Sequence, residues 1–335
     1  MTDEFGLFQF ASYITPDKNF GYTLDDNARA LIVCSWLLEK QDTKELRAHI
    51  TIYFNFIKKC LQENGTFINY IGFDKLPTSQ NRRENLEDVQ GRTLWTFGEM
   101  MNNKTLSSQL IDDAKEIFLM GLEKGLQLTH LRAQAFAIKA FALALNVLPD
   151  CRTKLLEYIK KYSDSLINAL KQHSLSSWSW FENHLTYNNG LLPESLLIAG
   201  DILKNKEYTD AGVLSLTFLI DTTFSEDIYY PIGNSHWYIR NQKRSYYDQQ
   251  PEDPTSMILT LVRAYKYTHK EKYKNLAIKC FDWFLGANSL NLSLYDDKSC
   301  GCHDGLQPNR MNLNQGAESL ISYLMGRVTI QDLNE

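Results

Sequence analysis

The chain predicts an all-α fold, an (α/α)6 toroid, and three observations carry that expectation. Apolar residues recur at i, i+3, i+4 and i+7 through most of its 335 residues, the spacing of amphipathic helices. The helices come in pairs, a first member apolar nearly all round and a second with one charged face. The first member recurs six times, at starts near 26, 88, 131, 190, 254 and 316.

The pairs follow in order as 26–40 with 44–62, 88–102 with 106–124, 131–146 with 152–172, 190–203 with 207–222, and 254–268 with 271–285. A last helix begins near Gln315 and ends around Gly326. First members read ARALIVCSWLL, GRTLWTFGEMM, AQAFAIKAFALAL and SLLIAGDIL, whereas a second reads KELRAHITIYFNFIKK. A helix apolar on all sides is buried all round, and an amphipathic one faces water on one side. Six buried helices wrapped by outer ones close naturally into a ring, because stacked repeats bury a continuous core. Residues 1–335 are expected to form one toroidal domain, with residues 1–20 closing the ring against the unpaired sixth helix. No convincing run of alternating strands intervenes.

Connections within pairs are short and those between pairs are long: 63–86, 174–189, 223–253 and 286–314. Loops longer than about 12–15 residues are functional or disordered, and these are too aromatic for disorder. Each precedes a first-type helix, so all should gather at one mouth of the barrel.

Composition excludes several classes. No run of 18 apolar residues suits a membrane span, and MTDEFGLFQF lacks the basic start and apolar stretch of a secretory signal. Lys and Arg are scattered over a chain of net charge −5, not clustered as nucleic-acid binding requires. Arg82 and Arg83 read as a solvated loop. The six cysteines form no disulfide framework, which points to a reducing, cytoplasmic setting. Cys34, Cys60 and Cys280 lie in apolar helical stretches and read as small buried hydrophobes. Cys300, Cys302 and His303 lack the C-x2–4-C spacing of zinc pairs, so no metal is expected. No phosphate-binding or nucleophile-elbow motif suggests a cofactor.

Acids and amides cluster where the loops meet the first-type helices: Asp25, Asp26 and Arg29; Glu87 and Asp88; Glu182, Tyr187 and Asn188; Asp248, Gln249, Gln250 and Asp253; and Gln315 with Glu318. Only the third such helix, approached through His130 and Arg132, lacks an acid. Helix capping explains one such group at each start, and five of six starts hold more than capping needs. Adjacent carboxylates at Asp25–Asp26 and Glu87–Asp88 would push one pKa up, which prepares a general acid. Carboxylates and amides bind paired hydroxyls, and rings stack on the C–H faces of sugars. Trp178, Trp180, Tyr187, His236, Trp237, Tyr246 and Tyr247 are the stacking candidates, while Trp36 and Trp95 fall on core positions. Glycoside cleavage needs two carboxyl groups, and Asp26, Asp88, Glu182 and Asp253 are available.

Several strings go further. Gly21-Tyr22-Thr23-Leu24-Asp25-Asp26-Asn27-Ala28-Arg29, Glu87-Asp88 with Gly91-Arg92, Trp180-Phe181-Glu182, Asp248-Gln249-Gln250-Pro251, Asp304-Gly305-Leu306 and Asn314-Gln315-Gly316-Ala317-Glu318-Ser319 together resemble the six-hairpin glycosidase-like domain associated with, or fused to, bacterial group 1 glycosyltransferases. The resemblance spans about Gly6 to Leu324. It implies carbohydrate metabolism and a glycosyltransferase as partner. Phe10 and Gln90 stand where the resemblance leads one to expect histidine, and Asn188 where it leads one to expect aspartate.

The leading expectation is a glycoside hydrolase-like enzyme acting on short oligosaccharides, mannose-containing ones among them. Glu182 would be the general acid, desolvated by Trp178, Trp180 and Phe181. Asp26 or Asp88 would activate water, with Asp253 in reserve. Asp25, Arg29, Glu87, Tyr187, Asn188, His236, Trp237, Asp248, Gln249, Gln250 and Glu318 would hold the sugar. Two alternatives stand beside it. Asn188 favours a non-catalytic glycan-binding partner of a glycosyltransferase. A sugar epimerase on a similar barrel would need paired histidines, a role that His130, His184 and His236 do not suggest by position.

Overall fold

A computed structural model describes residues 1–123, 127–226 and 228–334. Among them are eleven α-helices: α1 (Leu24–Lys40), α2 (Lys44–Cys60), α3 (Glu87–Asn102), α4 (Ser108–Glu123), α5 (Leu131–Ala144), α6 (Arg152–His173), α7 (Leu191–Leu203), α8 (Lys206–Thr223), α9 (Glu252–Thr268), α10 (Glu271–Asp282) and α11 (Ala317–Asn334). Extended structure among the described residues is confined to two-residue antiparallel ladders and isolated bridges. The expected end of the fourth helix at residue 124 lies outside the described residues.

The helices begin and end where local chemistry dictates. Thr23 caps α1 by accepting from Asp26 N–H at 3.2 Å, so α1 starts two residues before the predicted position. Thr43 caps α2 through Leu46 N–H and Asn205 caps α8 through Glu207 N–H; such caps are each worth about 1 kcal/mol. Helix α11 does not stop around Gly326 as predicted. Val328 and Ile330 beyond it are buried, and that burial outweighs the ~1 kcal/mol a helical glycine costs.

The chain divides into two compact units, Met1–Ile159 and Lys160–Glu335. In the first, α1 contacts α3 and α3 contacts α5, while α2 lies on α1 and α4 on α3. α1, α3 and α5 are buried along most of their length, including Ala28–Leu31, Thr93–Gly98 and Ala133–Phe141. Gly91 permits the close approach of α3 to α5, since a Cβ there would sit 2.5 Å from the Ala133 carbonyl oxygen. The N-terminal residues pack on the same unit: Leu7 N–H donates to Asn27 Oδ1 at 2.9 Å, and Phe5 meets Tyr22 and Phe56 edge-on.

In the second unit α7 contacts α9 and α9 contacts α11, with α8 on α7 and α10 on both α9 and α11. Its long loops are zipped together. His184–Leu185 pairs with Tyr238–Ile239, joining the segment 174–189 to 223–253. Gln249 and Leu306 exchange backbone hydrogen bonds at 2.9 and 3.0 Å, joining that segment to 286–314. Three aromatic-rich loops thereby gather at the starts of α7, α9 and α11.

Candidate functional site

In the first unit the polar groups at the start of α1 form a closed charge network. Arg29 Nη2 lies 2.9 Å from both Asp25 Oδ2 and Asp26 Oδ1, and Arg92 Nε lies 2.6 Å from Asp25 Oδ1. Thr23 Oγ1 donates to Asp26 Oδ2 at 2.5 Å. Asp26 and Arg29 are buried. Burial raises the Asp26 carboxyl above its ordinary value, Arg29 opposes that shift, and Asp25 adds a smaller push upward. The neighbouring aspartates are bridged by arginine, and the expected rise at one of them falls on Asp26, with burial its main cause and Asp25 a lesser one. With both oxygens of Asp26 engaged and Arg29 committed to two carboxylates, neither is free to activate water or grip a sugar. The link from this network to α3 is the ion pair of Asp25 with Arg92.

Glu87 is likewise structural. Its carboxylate accepts from Thr129 N–H at 2.5 Å, Thr129 Oγ1 at 2.7 Å and His130 N–H at 2.8 Å. Partial burial disfavours its charge, yet these donors hold its pKa below the usual value. The acid that appears to be missing before α5 is thus supplied from α3. Asp88, beside it, is partly exposed and faces His130 Nδ1 at 3.9 Å. Gln90, at the position where histidine is expected, pairs its amide with the Phe67 backbone, accepting from N–H and donating to C=O at 2.8 Å each. Imidazole in one tautomer could match that pair only with two separated ring nitrogens; an amide offers both functions side by side. Phe10, the other substituted position, is exposed on the N-terminal segment.

In the second unit Glu182 lies in the bend just before the His184–Leu185 strand, and its Oε1 is 3.7 Å from His184 Nε2. Both side chains are partly open to solvent, 21% and 44%. The ladder to Tyr238–Ile239 brings the next residues together, and the rings of Tyr187 and Trp237 are 6.5 Å apart and tilted by 50°. Asn188 is buried with φ 51°, in the left-handed region that Asn tolerates better than most residues. Its N–H donates to Asp253 Oδ1 at 2.9 Å, so Asp253, itself buried, fixes the turn into α7 from the start of α9.

Other candidates are placed differently from expectation. Trp178 and Trp180 are 3% and 0% exposed, stacked edge-on or tilted against Phe218 of α8, and Trp178 also against Tyr238. They offer no face to a sugar; they are core, and their indoles serve the packing of the loop on α8. Gln249 is fully buried, accepting from Trp283 Nε1 at 2.9 Å and donating to the Tyr246 carbonyl at 3.0 Å. It ties loops together and is unavailable to substrate. Tyr246 is exposed with the Arg244 guanidinium 4.4 Å over its ring. His236 is exposed; Trp237, Tyr247, Asp248, Gln250 and Glu318 are half-buried. Asp304 caps α11, accepting from Gly316 N–H and Ser319 Oγ at 2.7 Å.

The histidine partners of Asp88 and Glu182 were the functional feature not read from the sequence. The nearness of Glu182 and His184 in the chain is a signal, since side chains two residues apart can meet locally; Asp88 and His130 are 42 positions apart and give none. Among the described residues no group of three or more His, Cys, Asp and Glu could hold a metal ion, and no helix is long and apolar enough to cross a membrane.

The fold is an all-α (α/α)6 toroid, as predicted. Solved structures match it over nearly the whole chain. A cellobiose 2-epimerase from Bacillus thermoamylovorans has a TM-score of 0.74 at 12% identity, covering 99% of this chain and 93% of that one. A D-mannose isomerase has a TM-score of 0.67 at 13% identity, with 100% and 93% covered. A GH76 α-mannanase from Bacteroides thetaiotaomicron has a TM-score of 0.64 at 12% identity, with 94% and 88% covered. No family model and no curated protein matches the sequence.

Proposed function

We propose that this chain is a carbohydrate-active enzyme of glycoside hydrolase type, acting on short oligosaccharides that include mannosides. The observation that carries the reading is the Glu182–His184 pair, partly open to solvent and followed directly in the chain by Tyr187, whose ring leans on Trp237. A partly open carboxyl group with a histidine beside it, in a loop that also carries rings on which sugar C–H groups stack, suits the general acid. Among the candidates for base, Asp88 is partly exposed, whereas Asp26 and Asp253 are buried. The likeness in fold to an α-mannanase and a mannose isomerase supports the sugar class. Residues 1–20 closing the ring, a reducing cytoplasmic setting and a glycosyltransferase as working partner belong to the same reading.

The test is incubation with manno- and gluco-oligosaccharides while new reducing ends are measured. Turnover that falls about 100-fold or more in Glu182→Gln supports the assignment. Full activity in that variant overturns it. Binding without turnover would instead favour the glycan-holding role that Asn188 suggests, with Asn188→Asp the variant in which to look for restored turnover.

A second reading, sugar epimerisation, is favoured by one observation. Each of His130 and His184 faces a carboxylate, Asp88 at 3.9 Å and Glu182 at 3.7 Å, so both are placed to exchange protons. Deuterium incorporated from solvent into a sugar, with no new reducing ends, would select this reaction over hydrolysis.

A further inference from the structure

The N-terminal segment and the loop before α3 build a small antiparallel array in which Phe8 bridges to Tyr22, Tyr22 pairs with Ile71, and Ile71 bridges to Pro77. Gln9 N–H donates to the Gly21 carbonyl, so one step further along the array Phe10 comes opposite Phe20. Their rings meet edge-to-face at 4.9 Å. On the other side of the array the Phe8 and Phe73 rings lie 6.2 Å apart. Lys18 Nζ, beside Phe20 in the chain, lies 5.2 Å over the Phe73 ring. A hairpin, Ala11–Ser12 with Thr15–Pro16, extends from the same end and carries Tyr13 and Ile14 at its tip. Leu76 closes the turn after Phe73, its carbonyl accepting from Gly72 N–H at 2.8 Å.

All six of these apolar side chains face solvent: Phe10 41%, Tyr13 62%, Ile14 64%, Phe20 55%, Phe73 51% and Leu76 61%. At roughly half of the 150–250 Å² a large ring can bury, six such residues present on the order of 600 Å² of apolar surface. Patches of that size mark interaction sites on soluble proteins.

We propose that this face is the interface of a homodimer. A second copy is the fitting occupant because the exposed area approaches the ~800 Å² per partner of a standard interface. A two-fold contact also needs only one patch, repeated on both subunits. The charges on the segment are mixed, with Lys18 and Lys75 beside Asp17 and Asp74, so the face complements a copy of itself rather than a partner of one sign. A sugar is the poorer fit: three of the rings are phenylalanines without a polar tip, and Phe10 and Phe20 already pack edge-to-face on each other.

Sedimentation velocity on the full chain tests it, with Ile14→Asp and Phe73→Asp as variants and Leu214→Asp, an exposed leucine on α8, as control. The wild type and the control should run as dimers at micromolar concentration, and each variant should weaken the dimer at least tenfold while its circular dichroism and melting temperature stay unchanged. A wild-type monomer at ~100 µM overturns the proposal. So does a dimer that both variants leave intact. Loss of oligosaccharide binding in these variants, with a monomeric wild type, would give the face to substrate instead.

Discussion

Asn188 shows how much one residue type can decide. Its left-handed backbone is held by Asp253 Oδ1 on its own N–H, and its side chain is buried. An aspartate there would place a second carboxylate beside Asp253 in a site with little water, and like charges so placed push a pKa up. The Asn188→Asp variant should lose about 1–3 kcal/mol at pH 7. The sign follows from linkage: the introduced acid ionises in the unfolded chain near 3.9 and later in the folded one, so the loss grows as pH rises between the two values. Urea unfolding at pH 7 and at about pH 4 checks this; an equal loss at both would mean that steric strain, not charge, is responsible. Arg29 is the opposite case. It neutralises Asp25 and Asp26 together at 4% side-chain exposure, so Arg29→Leu should cost about 3–5 kcal/mol, measured by the same unfolding curves. The tryptophans mark the limit of what single residues disclose. Trp178 and Trp180 sit in a loop with Glu182, and nothing near them in sequence says that Phe218 and Tyr238 fold over their rings.

Helices were far more legible than the contacts between their ends. Apart from the far end of α11, the helices among the described residues fall within a few residues of the periodicity because apolar spacing and Thr or Asn caps are local properties, visible in segments such as Thr23–Asp26 and Asn205–Glu207. The short ladders were not visible, since two residues make no alternation and His184 finds Ile239 from 55 positions away. The donors to Glu87 were hidden for the same reason: they are Thr129 and His130, more than 40 positions away. Helix packing at the α7–α9 contact gives a sharp test. Gly190 abuts α9, where an added Cβ would lie 2.6 Å from both the Ser256 carbonyl oxygen and Thr260 Oγ1. Alanine at an unconstrained helical glycine stabilises by ~1 kcal/mol; Gly190→Ala should instead destabilise by about 1–3 kcal/mol through overpacking. Thermal melts of that variant decide the sign. In the loops, Gln249→Leu would leave the buried Trp283 indole N–H without its acceptor and should cost about 1–3 kcal/mol, seen as a lower urea midpoint.

At the scale of the whole molecule, the buried thiols and phenols set an alkaline limit to stability. Burial raises the Cys34 thiol from 9.0 to about 12 and moves Cys60, Cys280 and Cys302 upward as well. Burial, with Glu84 accepting from its hydroxyl, takes Tyr70 from 10.0 to about 12. In each case the unfolded chain ionises first. Below pH 9 both states hold the proton and the thiols impose no pH dependence. As pH rises from 9 toward the folded values, only the unfolded state gains from ionisation, and stability falls by about 1.4 kcal/mol per pH unit for each such thiol. The fold should therefore be insensitive to pH between about 7 and 8.5 and weaken steeply above it. Removing one thiol removes one share of that slope. In Cys60→Ala the variant should start less stable than wild type at pH 7, because a buried side chain is truncated. The gap should then narrow as pH rises past 9. Urea unfolding of both proteins from pH 7 to about 10.5 reads this directly. A gap that stays constant across that range would mean that the Cys60 thiol ionises equally in the folded and unfolded chains, contrary to its burial. Native-state labelling with a thiol reagent supplies an independent check. Cys300, the exposed cysteine, should react first, and Cys34, Cys60, Cys280 and Cys302 only as fast as the fold opens, because a thiol that is buried and protonated is not a nucleophile.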